Sequence, residues 1–466
     1  MLKKFFASLV TTSLLLVGFA TPAQANVAEP AFDMVNVSSV WDAGHIGEGA
    51  SIAFIDQGVN LTHEYFQDQV IDGFCLYASY TSNFCPNGSK SQTGVVAASQ
   101  RIVNNFPVFA ENHGNMVAGI AAGKPNSVAA GGIAPGAKIV MANIDLTLEG
   151  ITEAARYISQ RAEANNTVAM SLSFGGLFSE MPRSWLLCDT NPALSELASI
   201  IGDMRDRGII TFAAAGNTPV LDIATSVFPS CLEDVVAIGS VNAQREISWY
   251  VTMSNKIEFL APDFARSADT LGYLTSSGTS AATPLVAAAF TVLKQAFPNK
   301  TSEQILLAMK QGSSKVDDVI RKQIPLLNIS GAYQLLASSA GGSTPSAPEN
   351  PEQKVTIGTF NGYIAIYTKG YEGRRLTAKV AGKWLKVDPI TLAPGKTYSL
   401  TKRNTGAGYN INVEVYIDGV WWPRTASLPA SDQIRSAPGY PVHQVAQVFE
   451  SQRQGELPGP KLQRPG

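Results

Sequence analysis

Ile52-Ala53-Phe54-Ile55-Asp56-Gln57-Gly58 sets the reading of the whole chain. Four apolar residues run together without polar alternation, and a carboxylate and a glycine close them. A strand wetted on one face would alternate; this run reads as a strand buried on both faces of a parallel sheet. The pattern recurs at Ile139-Val140-Met141-Ala142, Val168-Ala169-Met170, Ile209-Ile210-Thr211-Phe212 and Val235-Val236-Ala237-Ile238. Amphipathic stretches of helical period lie between the runs, among them 151–164 and 194–207, the second stopped by Gly208. Strands alternating with helices from about residue 35 to 337 predict an α/β fold with a doubly wound, mostly parallel sheet. Its site is expected outside the carboxyl ends of the strands.

The flanks read differently. Lys3 and Lys4, an apolar run to Ala20 and the small-residue pattern Ala23-Gln24-Ala25 predict an export signal over residues 1–25. Retained, it would be a membrane anchor, but the run is short for a span. The α/β domain is then expected over 26–337, in a soluble chain that is secreted or periplasmic. Residues 338–353 are small, polar and proline-containing, and read as a linker. From 354 to 430 the period becomes two. Asn410-Ile411-Asn412-Val413-Glu414-Val415-Tyr416-Ile417 alternates, and Asp418-Gly419 offers a hairpin turn. A small C-terminal all-β domain, sandwich-like, is predicted. Trp384, Trp421 and Trp422 are read as its core, with a glycan or peptide platform as the alternative. The Pro-, Gln- and Gly-rich tail 431–466 is predicted to be disordered.

The chain has 466 residues, with 35 basic against 37 acidic side chains. Nothing in that balance suits a nucleic-acid partner, which demands a basic face, or a polybasic membrane surface. A monomer without stable membrane insertion is expected. The four cysteines allow three pairings. Proximity in sequence favours Cys75 with Cys85, and therefore Cys188 with Cys231, in an exported chain. Their spacing fits no zinc motif, and no metal site is expected.

Chemistry concentrates in four places. Asp56 ends a buried strand, and His113 opens the small-residue helix His113-Gly114-Asn115-Met116-Val117-Ala118-Gly119. Asn217 ends the run Ala213-Ala214-Ala215-Gly216-Asn217, and Ser280 opens the apolar helix of Ser277-Gly278-Thr279-Ser280-Ala281-Ala282-Thr283-Pro284. Each alone has a structural reading as a turn, cap or exposed side chain, the reading given to His45, His63 and His443. Together they suit one mechanism. A serine hydroxyl needs an adjacent base, which an imidazole near neutral pKa supplies. A carboxylate on the far ring nitrogen fixes the tautomer and stabilises the imidazolium. A helix N-terminal N–H and the Asn217 amide can hold an oxyanion.

These motifs resemble the subtilisin-like serine proteases from Trp41 through Leu336. Gly132-Ile133-Ala134-Pro135-Gly136-Ala137 and Leu260-Ala261-Pro262 add to the match. The resemblance implies a triad of Asp56, His113 and Ser280, with Asn217 as oxyanion residue. It implies substrate pairing along Ser173-Phe174-Gly175, and pocket walls from that segment and Ala214-Ala215-Gly216. Polypeptides are then the partners, and no cofactor is required for the chemistry. Small uncharged walls imply an apolar or broad preference before the scissile bond; a basic preference would point to Asp222 or Asp189.

The departures are Gln57, Asn115 and Met116, none expected to cost activity. Asn126-Ser127-Val128 resembles a calcium-binding loop, but Tyr65 stands where its acidic ligand is expected, so structural calcium is doubtful. The pattern begins near Val35, about ten residues past the predicted cleavage, where no inhibitory N-terminal domain fits. The disulfides and the β domain are then the available aids to slow parallel-sheet folding. Two alternatives stay open: a peptidyl transferase or macrocyclase on the same fold, and a non-catalytic peptide-binding relative. A related acid-acting family that uses Glu in place of His is disfavoured by His113.

Overall fold

A computed structural model describes residues 27–79, 84–103, 106–107, 111–175, 188, 191–219, 227–252, 254, 256–317 and 323–338, with backbone strands between 354 and 428. The signal segment, Asp189, Asp222, the tail and the three C-terminal tryptophan side chains lie outside the described residues, as does the linker except Ser338, which ends a helix.

The strands are β1 (Ser51–Asp56), β2 (Val70–Leu76), β3 (Ser91–Thr93), β4 (Ile102–Val103), β5 (Phe106–Pro107), β6 (Lys138–Ile144), β7 (Thr167–Leu172), β8 (Ile210–Ala214), β9 (Val235–Val241), β10 (Ile257–Pro262), β11 (Arg266–Ala268), β12 (Tyr273–Thr275), β13 (Ser314–Val316) and β14 (Ile324–Leu326). The helices are α1 (Pro30–Val35), α2 (Ser38–Asp42), α3 (His113–Ala122), α4 (Leu148–Arg161), α5 (Ser195–Asp206), α6 (Thr279–Ala296), α7 (Ser302–Gly312) and α8 (Ile329–Ser338).

A ten-stranded sheet runs β13-β14-β10-β9-β8-β7-β1-β6-β2-β3. Every pairing from β14 to β2 is parallel, and only the two edges are antiparallel. From β1 the chain goes out to β2, returns to β6 in the place between them, then crosses to β7 on the other side of β1 and continues through β8 and β9 to β10. The sheet is therefore doubly wound, and its order reverses beside β1, where such folds place their ligands.

Burial on both faces explains the unbroken apolar runs. Ile52, Phe54, Ile139 and Met141 pack on one face with α3, α6, α7 and α8 residues. Ala53, Ile55, Val140 and Ala142 pack on the other face with α4 and α5 residues. β2 was not legible, because Asp72-Gly73 interrupts its apolar run. The Asp72 carboxylate is buried, but it accepts from Gly73 N–H (2.9 Å), Tyr157 Oη (2.7 Å), Arg161 Nε (2.5 Å) and Asn165 Nδ2 (2.8 Å). A charge held this way can sit in a strand that composition alone would reject.

Beyond the sheet, the backbone from 354 to 428 holds antiparallel pairs, including 354–360 with 363–369 and 375–380 with 411–417.

The sulfurs of Cys75 and Cys85 lie at bonding distance, as do those of Cys188 and Cys231. The second pair spans 43 residues. Loop closure of that length stabilises by about 4 kcal/mol. Replacing both Cys188 and Cys231 by alanine is expected to lower the guanidinium unfolding free energy by that order. A loss under about 1 kcal/mol would contradict the loop-closure account.

Candidate active site

Asp56 ends β1 with its side chain 1% exposed. Its Oδ1 accepts from Gln57 N–H at 2.8 Å. The chain then turns at Gly58, whose φ is +80°, a conformation that favours glycine. Gly114, the second residue of α3, sits directly on this turn. A methyl built on it would meet the Gly58 carbonyl oxygen at 2.0 Å, so only glycine admits the approach. That contact carries His113 to the end of β1. His113 Nδ1 lies 2.9 Å from both Asp56 oxygens.

A carboxylate only accepts, so Nδ1 carries the proton and donates. In the neutral ring Nε2 then holds the lone pair of a base. The side chain of His113 is 33% exposed. Burial works against its charged form, and the Asp56 carboxylate outweighs it through charge and hydrogen bonding. His113 is held above the ordinary histidine value.

Amides brace this pair. Asn115 Oδ1 accepts from Asn60 N–H (2.6 Å), and Asn115 Nδ2 donates to Gln100 Oε1 (3.0 Å). Gln100 Nε2 donates to the Glu111 carbonyl (2.9 Å) and to Thr270 Oγ1 (3.1 Å). Asn60 Nδ2 reaches the Thr270 carbonyl (2.7 Å), and Asn112 Nδ2 reaches Asp269 Oδ1 (2.7 Å). The turn between β11 and β12 thus ties the loop after Asp56 to the start of α3. Asn115, a departure from the resembling pattern, is a full member of this network. The network's other members Gln100 and Thr270 gave no sequence signal, because they meet only in space.

Ser280 lies in the first turn of α6, where an N–H has no intrahelical acceptor. Pro284 stands four residues on and cannot donate to the Ser280 carbonyl. The Ser280 hydroxyl donates to the Ser173 carbonyl at 2.7 Å. Asn217 Oδ1 accepts from both the N–H and the hydroxyl of Thr279, each at 2.9 Å. A backbone N–H only donates, so the facing atom is the amide oxygen and Nδ2 is left to point elsewhere. It lies on the Gly278 side; a methyl on Gly278 would meet it at 2.9 Å. Thr279, read from sequence only as part of a Gly-Thr-Ser triplet, therefore aims the Asn217 amide.

Ser173 is buried, Phe174 is partly exposed and Gly175 is exposed, all just past β7. Ala214, Ala215 and Gly216 are buried at and just past the end of β8. The Asn126–Val128 loop is closed by its own amide. Asn126 Oδ1 turns back onto Val128 N–H (2.9 Å) and Ala129 N–H (3.0 Å). Tyr65 is fully buried, and its hydroxyl accepts from Gly131 N–H at 2.9 Å. Among the described residues, no three His, Cys, Asp or Glu side chains are grouped to hold a metal.

The profile of the Subtilase family matches residues 47–326. The chain belongs to the subtilase family. Minor extracellular protease Epr of Bacillus subtilis (strain 168) is 26% identical to this subtilase over 313 residues, 66% of this chain and 41% of that protein. The Intracellular serine protease of Paenibacillus polymyxa is 25% identical over 322 residues, covering 66% of this chain and 83% of the relative. Subtilisin E of Bacillus subtilis (strain 168) is 22% identical over 305 residues, covering 64% and 70%. This subtilase thus spans less than half of Epr's length and most of the other two.

Substituting Asn217 by alanine in this subtilase is expected to lower kcat by ~10²–10³ with little change in KM. That magnitude is the one known for the corresponding amide of subtilisin, a member of the same family. The direction rests on the Thr279 contacts, which leave Nδ2 beside the Ser280 turn. Steady-state kinetics on a peptide anilide checks it; a loss below tenfold means another donor carries the oxyanion.

Proposed function

We propose that the chain is an exported serine endopeptidase that cleaves polypeptides through a covalent acyl-enzyme. The observation that carries the reading is the Asp56–His113 pair, which leaves Nε2 as the base. Ser280 turns from the Ser173 carbonyl toward Nε2 and gives up its proton as Oγ bonds to the scissile carbonyl carbon. The oxyanion is held by the Ser280 N–H and Asn217 Nδ2. His113 returns the proton to the leaving amine, and water then hydrolyses the acyl group by the same route. The extended substrate pairs with Ser173, Phe174 and Gly175. None of these steps requires a cofactor.

In this reading residues 1–25 are the export signal, 26–337 the protease, 338–353 a linker, 354–430 a small β domain and 431–466 a tail. The protein is a secreted or periplasmic monomer. Among the described residues, no helix is long and apolar enough to cross a membrane.

Digestion of a denatured protein in ¹⁸O water tests the reaction type. Hydrolysis puts ¹⁸O on each new carboxyl terminus. Joined or cyclised peptides without label would favour a peptidyl transferase, and no cleavage at all a binding protein.

The pH dependence follows from His113. The base must be neutral, so kcat/KM rises with pH through its raised value. The acid limb is expected above the ordinary ~6.5. The same pairing contributes stability below the unfolded histidine value and loses it as pH rises through the folded one. An acid limb below 6 in a kcat/KM profile would contradict the assignment.

A further inference from the structure

Ser280 can act only if the turn before it holds still. That turn is anchored on both sides. Ser276 Oγ accepts from Ala265 N–H and donates to the Ala265 carbonyl, each at 2.9 Å. Thr279 is tied to Asn217 Oδ1 through its N–H and its hydroxyl. Gly278 lies between these anchors with φ +101°, a conformation that favours glycine. The same freedom lets the peptide swing. As the N-cap of α6, Gly278 also has no side chain to hold the first N–H groups of that helix.

Tyr250 pins the turn from outside the helix. The Gly278 N–H donates to Tyr250 Oη at 3.1 Å. A phenol has one proton, and this one goes to Asp263 Oδ2 at 2.6 Å, so a lone pair is left facing Gly278. Burial first, and then the bond to that carboxylate, holds the phenol above its ordinary value and keeps the proton in place. Asp263 is itself fixed. Its N–H donates to the Val241 carbonyl (2.8 Å), and its Oδ2 also accepts from Ser248 Oγ (2.7 Å), which accepts from Ser240 Oγ (3.1 Å). Ser240 and Val241 belong to β9. A line of hydrogen bonds therefore runs from the central sheet to the residue two before the nucleophile.

We infer that Tyr250, aimed by Asp263, is a positioning residue for the reaction: it holds the Gly278 turn so that Ser280 Oγ, the Ser280 N–H and Asn217 Nδ2 converge on one carbonyl. The inference rests on the serine-protease reading. Without the hydroxyl, the buried Gly278 N–H loses its acceptor, and the turn shifts to find another. All three groups sit on or against that turn, so the loss falls on the transition state more than on substrate binding. A misplacement of about 1 Å at the reacting atoms costs up to about 10²-fold.

Tyr250→Phe keeps the ring and removes the hydroxyl. Per site titrated to completion with an aryl phosphonate, kcat on a peptide anilide is expected to fall at least about tenfold, with KM within about twofold of the parent. Inhibition by a peptide boronate, which takes the tetrahedral shape of the transition state, is expected to weaken by a similar factor. The titration counts folded sites alone, so a merely structural role would leave kcat unmoved. Asp263→Ala is expected to act in the same way, and the double variant to cost little more than the larger single loss, because the two residues work as one unit. A kcat loss below about tenfold in Tyr250→Phe, a rise in KM alone, or losses that multiply in the double variant overturn the assignment and leave the serine-protease reading standing. A parent chain that never reacts with the phosphonate overturns both.

Discussion

Ser280→Ala is expected to lower kcat by about 10⁶-fold while leaving the fold in place. That magnitude is the one known for the nucleophile of subtilisin, a member of this family; the direction follows from the geometry here. The alanine chain keeps the Asp56–His113 pair and the Asn217 amide, yet no atom remains for the base to activate. Its structural cost is one hydrogen bond, from the Ser280 hydroxyl to the Ser173 carbonyl, worth about 1 kcal/mol. Circular dichroism and unfolding should therefore match the parent closely. Peptidase activity retained in purified Ser280→Ala protein, within about 100-fold of the parent, would remove serine from the mechanism.

Asp56→Asn is expected to cost about 10⁴ in kcat, the size of loss seen when the corresponding carboxylate of another serine protease is amidated. The local geometry says why. Gln57 N–H donates to Oδ1, so in the asparagine chain that oxygen stays an acceptor and the NH₂ takes the place of Oδ2. A donor would then face His113 Nδ1. Oδ1 already accepts from Gln57 N–H, so the new donor competes for Nδ1 and favours the ring with its proton on Nε2, the wrong tautomer for a base. Burial of a neutral amide in place of a charge should not unfold the chain. A loss below about 100-fold would show that Asp56 does not set the tautomer.

Periodicity made much of this site legible. The β1 strand read correctly because Ile52 and Phe54 face one core while Ala53 and Ile55 face the other, which forces an unbroken apolar run. Asp56, His113, Asn217 and Ser280 could be picked out because each ends or opens an element, where a polar group beside an apolar run stands out. Side-chain partners far apart in sequence were not legible. Thr279 reaches across 62 residues to orient Asn217, and Gln100 across 170 to Thr270.

Reaction of the purified protein with an aryl phosphonate ester, followed by digestion and tandem mass spectrometry, tests the central claim most directly. The claim predicts one stoichiometric adduct, on Ser280, formed more slowly as pH falls through the His113 value. No adduct, or an adduct on another side chain such as Ser277, would contradict it.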